Sequence, residues 1–166
     1  MKLSIFVGDI TDASAEALCT STNPRLSLMM GTGGSVRDRG GFEVLRECEA
    51  ILGDKTLAPG SVVTTSAGRL PHKAIFHCVA SDANHRSSAE IIRACIANAL
   101  AAADEAGCKS VAMPVFATGH AHVKFKDALV AMRDALAAAK TNVERVLVVV
   151  YDADWAEDAE RILLHQ

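Results

Sequence analysis

The sequence predicts an α/β protein, a three-layer α/β/α sandwich around a mixed, largely parallel central sheet. Three observations carry this. Short apolar, β-rich runs alternate with segments whose apolar residues recur at helical spacing. One run, RVLVVVYD at 145–152, is apolar almost throughout, as a central strand covered on both faces is. No repeat, linker or low-complexity tract interrupts the alternation, so one domain over 1–166 is expected.

The elements follow in order. KLSIFV (2–7) alternates weakly and runs into Gly8-Asp9, as a strand entering a loop does. EALCTST (16–22) reads as a second buried strand, stopped by Asn23-Pro24. A short helix is placed around 34–40, behind a glycine-rich run. FEVLRECEAIL (42–52) is helical, with Phe42, Leu45, Cys48 or Ala50, and Leu52 on one side. Pro59-Gly60 makes a turn, and SVVTTSA (61–67) and KAIFHCVA (73–80) are β-rich runs separated by GRLPH. Ser87-Ser88-Ala89-Glu90 has the form of a capping box, and behind it Ile91, Ile92, Cys95, Ile96, Ala99, Leu100 and Ala103 line one helix face. SVAMPVF (110–116) is a buried strand. DALVAMRDALAAA (127–139) is a helix with Leu129, Met132 and Leu136 inward, and WAEDAERILL (155–164) is a last helix that Asp154 can cap.

Bulk properties exclude several functions. Half of the 166 residues are apolar and 22% charged, which suits a packed core and argues against disorder. A formal charge of -3 gives no general attraction to nucleic acid, and Arg37 and Arg39 are too few for a basic patch. Five cysteines without Cys-x-x-Cys spacing argue against a disulfide framework and a structural zinc site, and fit a reducing compartment. MKLSIFVGDI is too short an apolar run for a signal peptide, and the apolar stretch 91–103 is broken by Arg93 and Asn98. A soluble, cytoplasmic protein without a membrane partner is the expectation.

In such sheets ligands sit beyond the C-terminal strand ends, which points to GDITD, TNPRL through GTGGSVRD, FATGHAH and YDAD. The run MMGTGGSVRDRGG (29–41) is not a dinucleotide fingerprint, because Val36 stands where the third glycine belongs; nor is it a Walker A loop, because Gly-Lys-Ser/Thr is absent from the chain. It leaves two readings, backbone N–H groups cradling a phosphate or a plain loop. Phe116 to His122 offers a second loop of small residues. Asp9 could accept a hydrogen bond from an exocyclic amine or merely cap a turn.

Four segments in register resemble a macro domain, the ADP-ribose-binding module, from about Gly8 to Asp152. GDIT (8–11) is similar to the family's adenine-binding opening, and CTSTNP (19–24) stands where members commonly have Val-Asn-Ala-Ala-Asn-Ser. LPHKAIFHCV (70–79) and VAMPVFATG (111–119) resemble the family's following strand entries. The resemblance implies that Asp9 holds the adenine amine and the Ile10 backbone its ring edge. Asn23 would hold the distal ribose. Gly31, Thr32, Gly33, Gly34, Ser35 and Val36 would hold the diphosphate with Thr118, Gly119, His120, Ala121 and His122, and Tyr151 would lie on or beside adenine. The partner implied is ADP-ribose, free or protein-linked, with no cofactor.

Departures from the pattern bear on activity. Thr20 replaces the first Asn of the usual pair, Leu28 to Met30 replace glycines, and Gly33 stands where hydrolytic members often carry an Asp. A glycine cannot orient or deprotonate water. The pattern is more similar to the non-hydrolysing macro domains of histone variants, so binding is expected ahead of turnover. The rival is a hydrolase of ADP-ribosyl or O-acetyl-ADP-ribose bonds using Asn23 or His120. A third reading is a degenerate interaction module whose pocket Met29, Met30 and His122 obstruct. His120-x-His122 lacks the neighbouring ligands of a metal site. His72 and His77 are expected to be structural, Cys19, Cys78 and Cys95 inert core thiols, and Arg37-Asp38-Arg39 a solvated face.

Overall fold

The computed structural model of the protein describes residues 1–165. Among these, six strands are formed: β1 (Lys2–Val7), β2 (Ala17–Thr22), β3 (Val62–Thr65), β4 (Ala74–Val79), β5 (Ser110–Pro114) and β6 (Arg145–Val150). Five α-helices accompany them: α1 (Gly31–Gly40), α2 (Phe42–Leu52), α3 (Ala89–Glu105), α4 (Phe125–Ala138) and α5 (Ala156–Leu163). The strands make one sheet in the order β1-β6-β5-β2-β4-β3, parallel except for β3, which runs antiparallel to β4 at the edge.

Alternation along each strand divides the core between the two sheet faces. Leu18, Ile75, Ala112 and Leu147 pack with Val36 of α1 and with Val44, Cys48 and Leu52 of α2. Their chain neighbours Cys19, Phe76, Val111 and Val146 pack on the other face with Ile92 and Ile96 of α3, Leu129 and Met132 of α4, and Leu163 of α5. Burying both faces explains why RVLVVV has no polar side. Cys19, Cys78 and Cys95 lie in the second cluster, and burial pushes the Cys95 thiol up to about 12.

Several local expectations shift. Phe42 is 74% exposed, because the buried stripe of α2 is Val44, Cys48 and Leu52, and two residues from Val44 is about 200° round the helix. The cap of α3 is Ser88, not Ser87: its hydroxyl accepts the Ile91 N–H at 3.3 Å, while the Ser87 hydroxyl is buried without a partner among the described residues. Helix α5 starts at Ala156, so Asp154 does not cap it; Asp152 instead caps a 3-10 turn at Ala153–Trp155 by accepting the Asp154 N–H at 3.0 Å. Helix α1 begins at Gly31, three residues before the expected start, so the glycine segment is the first turn of a helix rather than a loop before one.

Candidate functional site

Strands β2 and β5 pair only at Ala17–Val111 and Leu18–Ala112, then part. β2 continues beside β4 as far as Thr22–Val79, and β5 continues beside β6 as far as Pro114–Val149. The fork opens at the C-terminal ends of the strands, where the connections diverge to opposite sides of the sheet, the place where α/β sheets hold ligands. A cleft of about 1280 Å³ occupies it. All four sequence-predicted loops contribute to its lining.

One wall is the start of α1. Its first helical hydrogen bond runs from Gly34 N–H to Met30 O at 3.1 Å, so the N–H groups of Gly31, Thr32 and Gly33 have no intrahelical acceptor, and Met30 supplies no side-chain cap. These donors and the positive end of the helix suit an anion. Gly31 takes the left-handed backbone at φ 57°, which favours glycine. Gly33 and Gly34 serve packing instead. A Cβ on Gly33 would lie 3.1 Å from Leu28 Cα, and one on Gly34 would lie 3.3 Å from Met29 O.

The opposite wall is the loop after β5. Thr118 donates its hydroxyl to Val115 O at 2.9 Å, and Val123 N–H returns to Ala117 O at 3.0 Å, closing the loop on itself. Ala117 and His122 hold positive φ values of 63° and 52° at its two ends. The N–H groups of Thr118, Gly119, His120 and Ala121 enter no hydrogen bond among the described residues. Ser21 ties the walls together across the fork. Its N–H donates to Thr32 Oγ1 at 3.1 Å, and its hydroxyl accepts the Ala117 N–H at 3.3 Å. The sequence offered no signal for this role.

At the β1–β6 end stand Asp9, Ile10, Tyr151 and Trp155. Asp9 caps the 3-10 turn at Ile10–Asp12, accepting the Thr11 N–H at 2.9 Å and the Thr11 hydroxyl on Oδ1 and the Ser35 hydroxyl on Oδ2 at 2.7 Å. Partial burial pushes its carboxyl up, but the hydrogen bonds from Thr11 and Ser35 and the charge of Arg39 outweigh it and hold the group below its ordinary value. Oδ1 is filled by its two donors from Thr11, and Oδ2, which accepts only from Ser35, keeps a lone pair for a further donor. Tyr151 is 84% exposed; Trp155, the chain's one tryptophan, meets Phe125 with ring centroids 4.3 Å apart.

At the β4 end the lining includes Ala80, Ser81 and His85, on a loop to which the sequence reading gave no role. Asn23 lies between the ends, and its side-chain oxygen is engaged by the N–H groups of Arg25 at 3.0 Å and Ser27 at 3.3 Å, leaving its amide N–H₂ as donor. Of the predicted residues, Gly33, Gly34 and Val36 do not line the cleft; all three are buried and Val36 is a core residue. Met29, Met30 and His122 line the cleft without plugging it: Met29 and Met30 are 69% and 65% exposed, and His122 is exposed too.

Thr20 is withdrawn from the cleft altogether. Its hydroxyl sits 2.9 Å from His77 Nδ1, and Thr65 Oγ1 sits 2.9 Å from His77 Nε2. Thr65 spends its one proton on Ser66 O at 2.9 Å, so it accepts from Nε2–H, and Thr20 must then donate to the bare Nδ1. Burial pushes His77 down to about 4, so the ring is neutral at pH 7. This chain of hydrogen bonds joins β2, β4 and β3 beneath the cleft floor.

The forked sheet and its two N–H-lined walls define an α/β domain of the kind that takes a phosphate-bearing nucleotide at its strand ends. The chain belongs to the macro domain family, whose model matches residues 19–132. It is 34% identical over 163 residues to a macro domain-containing protein of Streptomyces griseus, covering 94% of this chain and 91% of the relative. An O-acetyl-ADP-ribose deacetylase of Citrobacter rodentium is 27% identical over 171 residues, covering 99% and 97%. Among solved structures, a point variant of the Oceanobacillus iheyensis macrodomain with ADPR superposes with a TM-score of 0.89 at 25% identity, covering 97% of this chain and 91% of that one.

Proposed function

We propose that this chain binds ADP-ribose, free or attached to a protein, along the cleft. The observation that carries the reading is the convergence of unpaired N–H groups from the first turn of α1 and from Thr118–Ala121 on one hollow, with the Asp9 carboxylate at its end. The diphosphate lies between the two walls, held by main-chain dipoles, which needs no net positive charge. Asp9 accepts from the adenine amine, the Ile10 backbone meets the ring edge, and Tyr151 and Trp155 flank the purine. Asn23 donates its free amide N–H₂ to the distal ribose. The resemblance to a solved macrodomain with ADPR supports the same assignment. Calorimetric titration with ADP-ribose tests it; absence of heat and of any shift in melting temperature at millimolar ligand would reject it.

Hydrolysis is the second reading, favoured by the relatives that are O-acetyl-ADP-ribose deacetylases over nearly the whole chain. The side chains favour binding. Gly33 offers no carboxylate, Thr20 is engaged with His77, and the Asn23 oxygen is engaged in its own turn. Release of ADP-ribose from an automodified protein, abolished by Asn23→Ala, would reverse this preference.

A further inference from the structure

We infer that His85 and His120 form a specificity-determining pair that reads the group beyond the second phosphate, so that this chain distinguishes ADP-ribose from ADP. The inference rests on the proposed function, adds His85, which no motif marked, and gives the side chain of His120 a role apart from the diphosphate. Strands β1 and β4 stand four positions apart in the sheet, roughly 19 Å at the usual strand spacing. With the purine at Asp9 and Tyr151 and the diphosphate at the β2–β5 fork, whatever follows the second phosphate extends toward β4. His85 lies on the loop after β4 and His120 on the loop after β5, and both line the cleft. Their ring centroids are 5.8 Å apart with planes tilted by 43°, so two separate loops bring two imidazoles to one spot.

The placement of His85 is built rather than incidental. Its φ of 57° is costly for a residue with a side chain. A closed turn enforces it. Asp82 Oδ1 accepts the N–H groups of Asn84 at 2.8 Å and Arg86 at 2.9 Å, His85 N–H donates to Asp82 O at 3.1 Å, and Asp82 N–H donates to Arg86 O at 2.8 Å. The ring nitrogens of a histidine hydrogen-bond as donor or acceptor, the complement of a sugar hydroxyl, which does both. Two such rings suit the vicinal hydroxyls of a ribose. No third histidine, cysteine or carboxylate joins them among the described residues to make a metal site.

The test compares ADP with ADP-ribose by calorimetry on the unmodified chain, on His85→Gly, where glycine takes the left-handed backbone freely, and on His120→Ala. His85→Gly is expected to weaken ADP-ribose about threefold to tenfold while leaving ADP within about twofold, and His120→Ala, which keeps the main-chain N–H of the diphosphate wall, is expected to weaken ADP-ribose relative to ADP by a similar factor. Equal losses for both ligands, or an unchanged ratio between them, would overturn the inference and leave the proposed function standing. Failure of the unmodified chain to bind either ligand would overturn both.

Discussion

Ser35 donates its hydroxyl to Asp9 Oδ2 across 2.7 Å, joining the first turns of α1 to the end of β1. The contact couples the two halves of the site, because the helix whose free N–H groups face the diphosphate also orients the carboxylate assigned to adenine. Asp9→Ala removes the acceptor and is expected to weaken ADP-ribose by about 1–3 kcal/mol. Ser35→Ala keeps the carboxylate but frees its orientation, and should cost less than half as much. Calorimetry on both variants, with circular dichroism to show that each folds, checks the order; a larger loss from Ser35→Ala would contradict it.

Trp155 is a built-in reporter. It is the chain's one tryptophan and lines the purine end of the cleft, so ADP-ribose should change its fluorescence in proportion to occupancy. Tyr151→Ala should shift the titration midpoint by about 0.5–1.5 kcal/mol, the usual worth of an aromatic contact. An unchanged midpoint would place the purine elsewhere.

Restoring the acid that hydrolytic relatives of this family often carry should not restore hydrolysis here. The Cβ direction at Gly33 points at Leu28 Cα, 3.1 Å away, not into the cleft. Gly33→Asp is therefore expected to lower the melting temperature, because the Leu28 backbone must give way, without any release of ADP-ribose from an automodified protein. Measurable turnover in that variant would show that α1 shifts to accommodate the carboxylate.

His77 sets a pH dependence of stability. Its folded value is depressed to about 4 from an ordinary 6.5, so the unfolded chain binds the extra proton first as pH falls. The native state loses stability between pH 6.5 and pH 4, on the order of 3 kcal/mol in all, and regains it above 6.5. Urea unfolding at pH 7 and pH 5 should show the drop. His77→Gln, which keeps a donor and an acceptor for Thr65 and Thr20 but cannot titrate, should show a smaller one.

The sequence is most legible where the signal is local and periodic. The six strands stand where their apolar runs put them, and the buried faces of α3 and α4 match their periodic residues. The sequence is least legible where a residue's role depends on which turn of a helix it enters. Ser87 against Ser88 is a shift of one position, and Phe42 faces solvent because Val44, not Phe42, is in phase with Cys48. His85 belongs to no motif, and Ser21 stands inside CTSTNP without a signal for its own role, since each acts through a residue distant in sequence.

By itself, then, the sequence settled the alternation of strands and helices and the family resemblance, because hydrophobic period and short loop signatures are properties of neighbouring residues. Tertiary structure alone decided where β2 and β5 part, which glycines of α1 pack against Leu28 and Met29 and which one lines the cleft, and that histidines 35 positions apart in the chain meet at one end of the cleft. The physical reason is that these depend on how layers pack and strands diverge, and that geometry is set by contacts between segments with no shared local pattern.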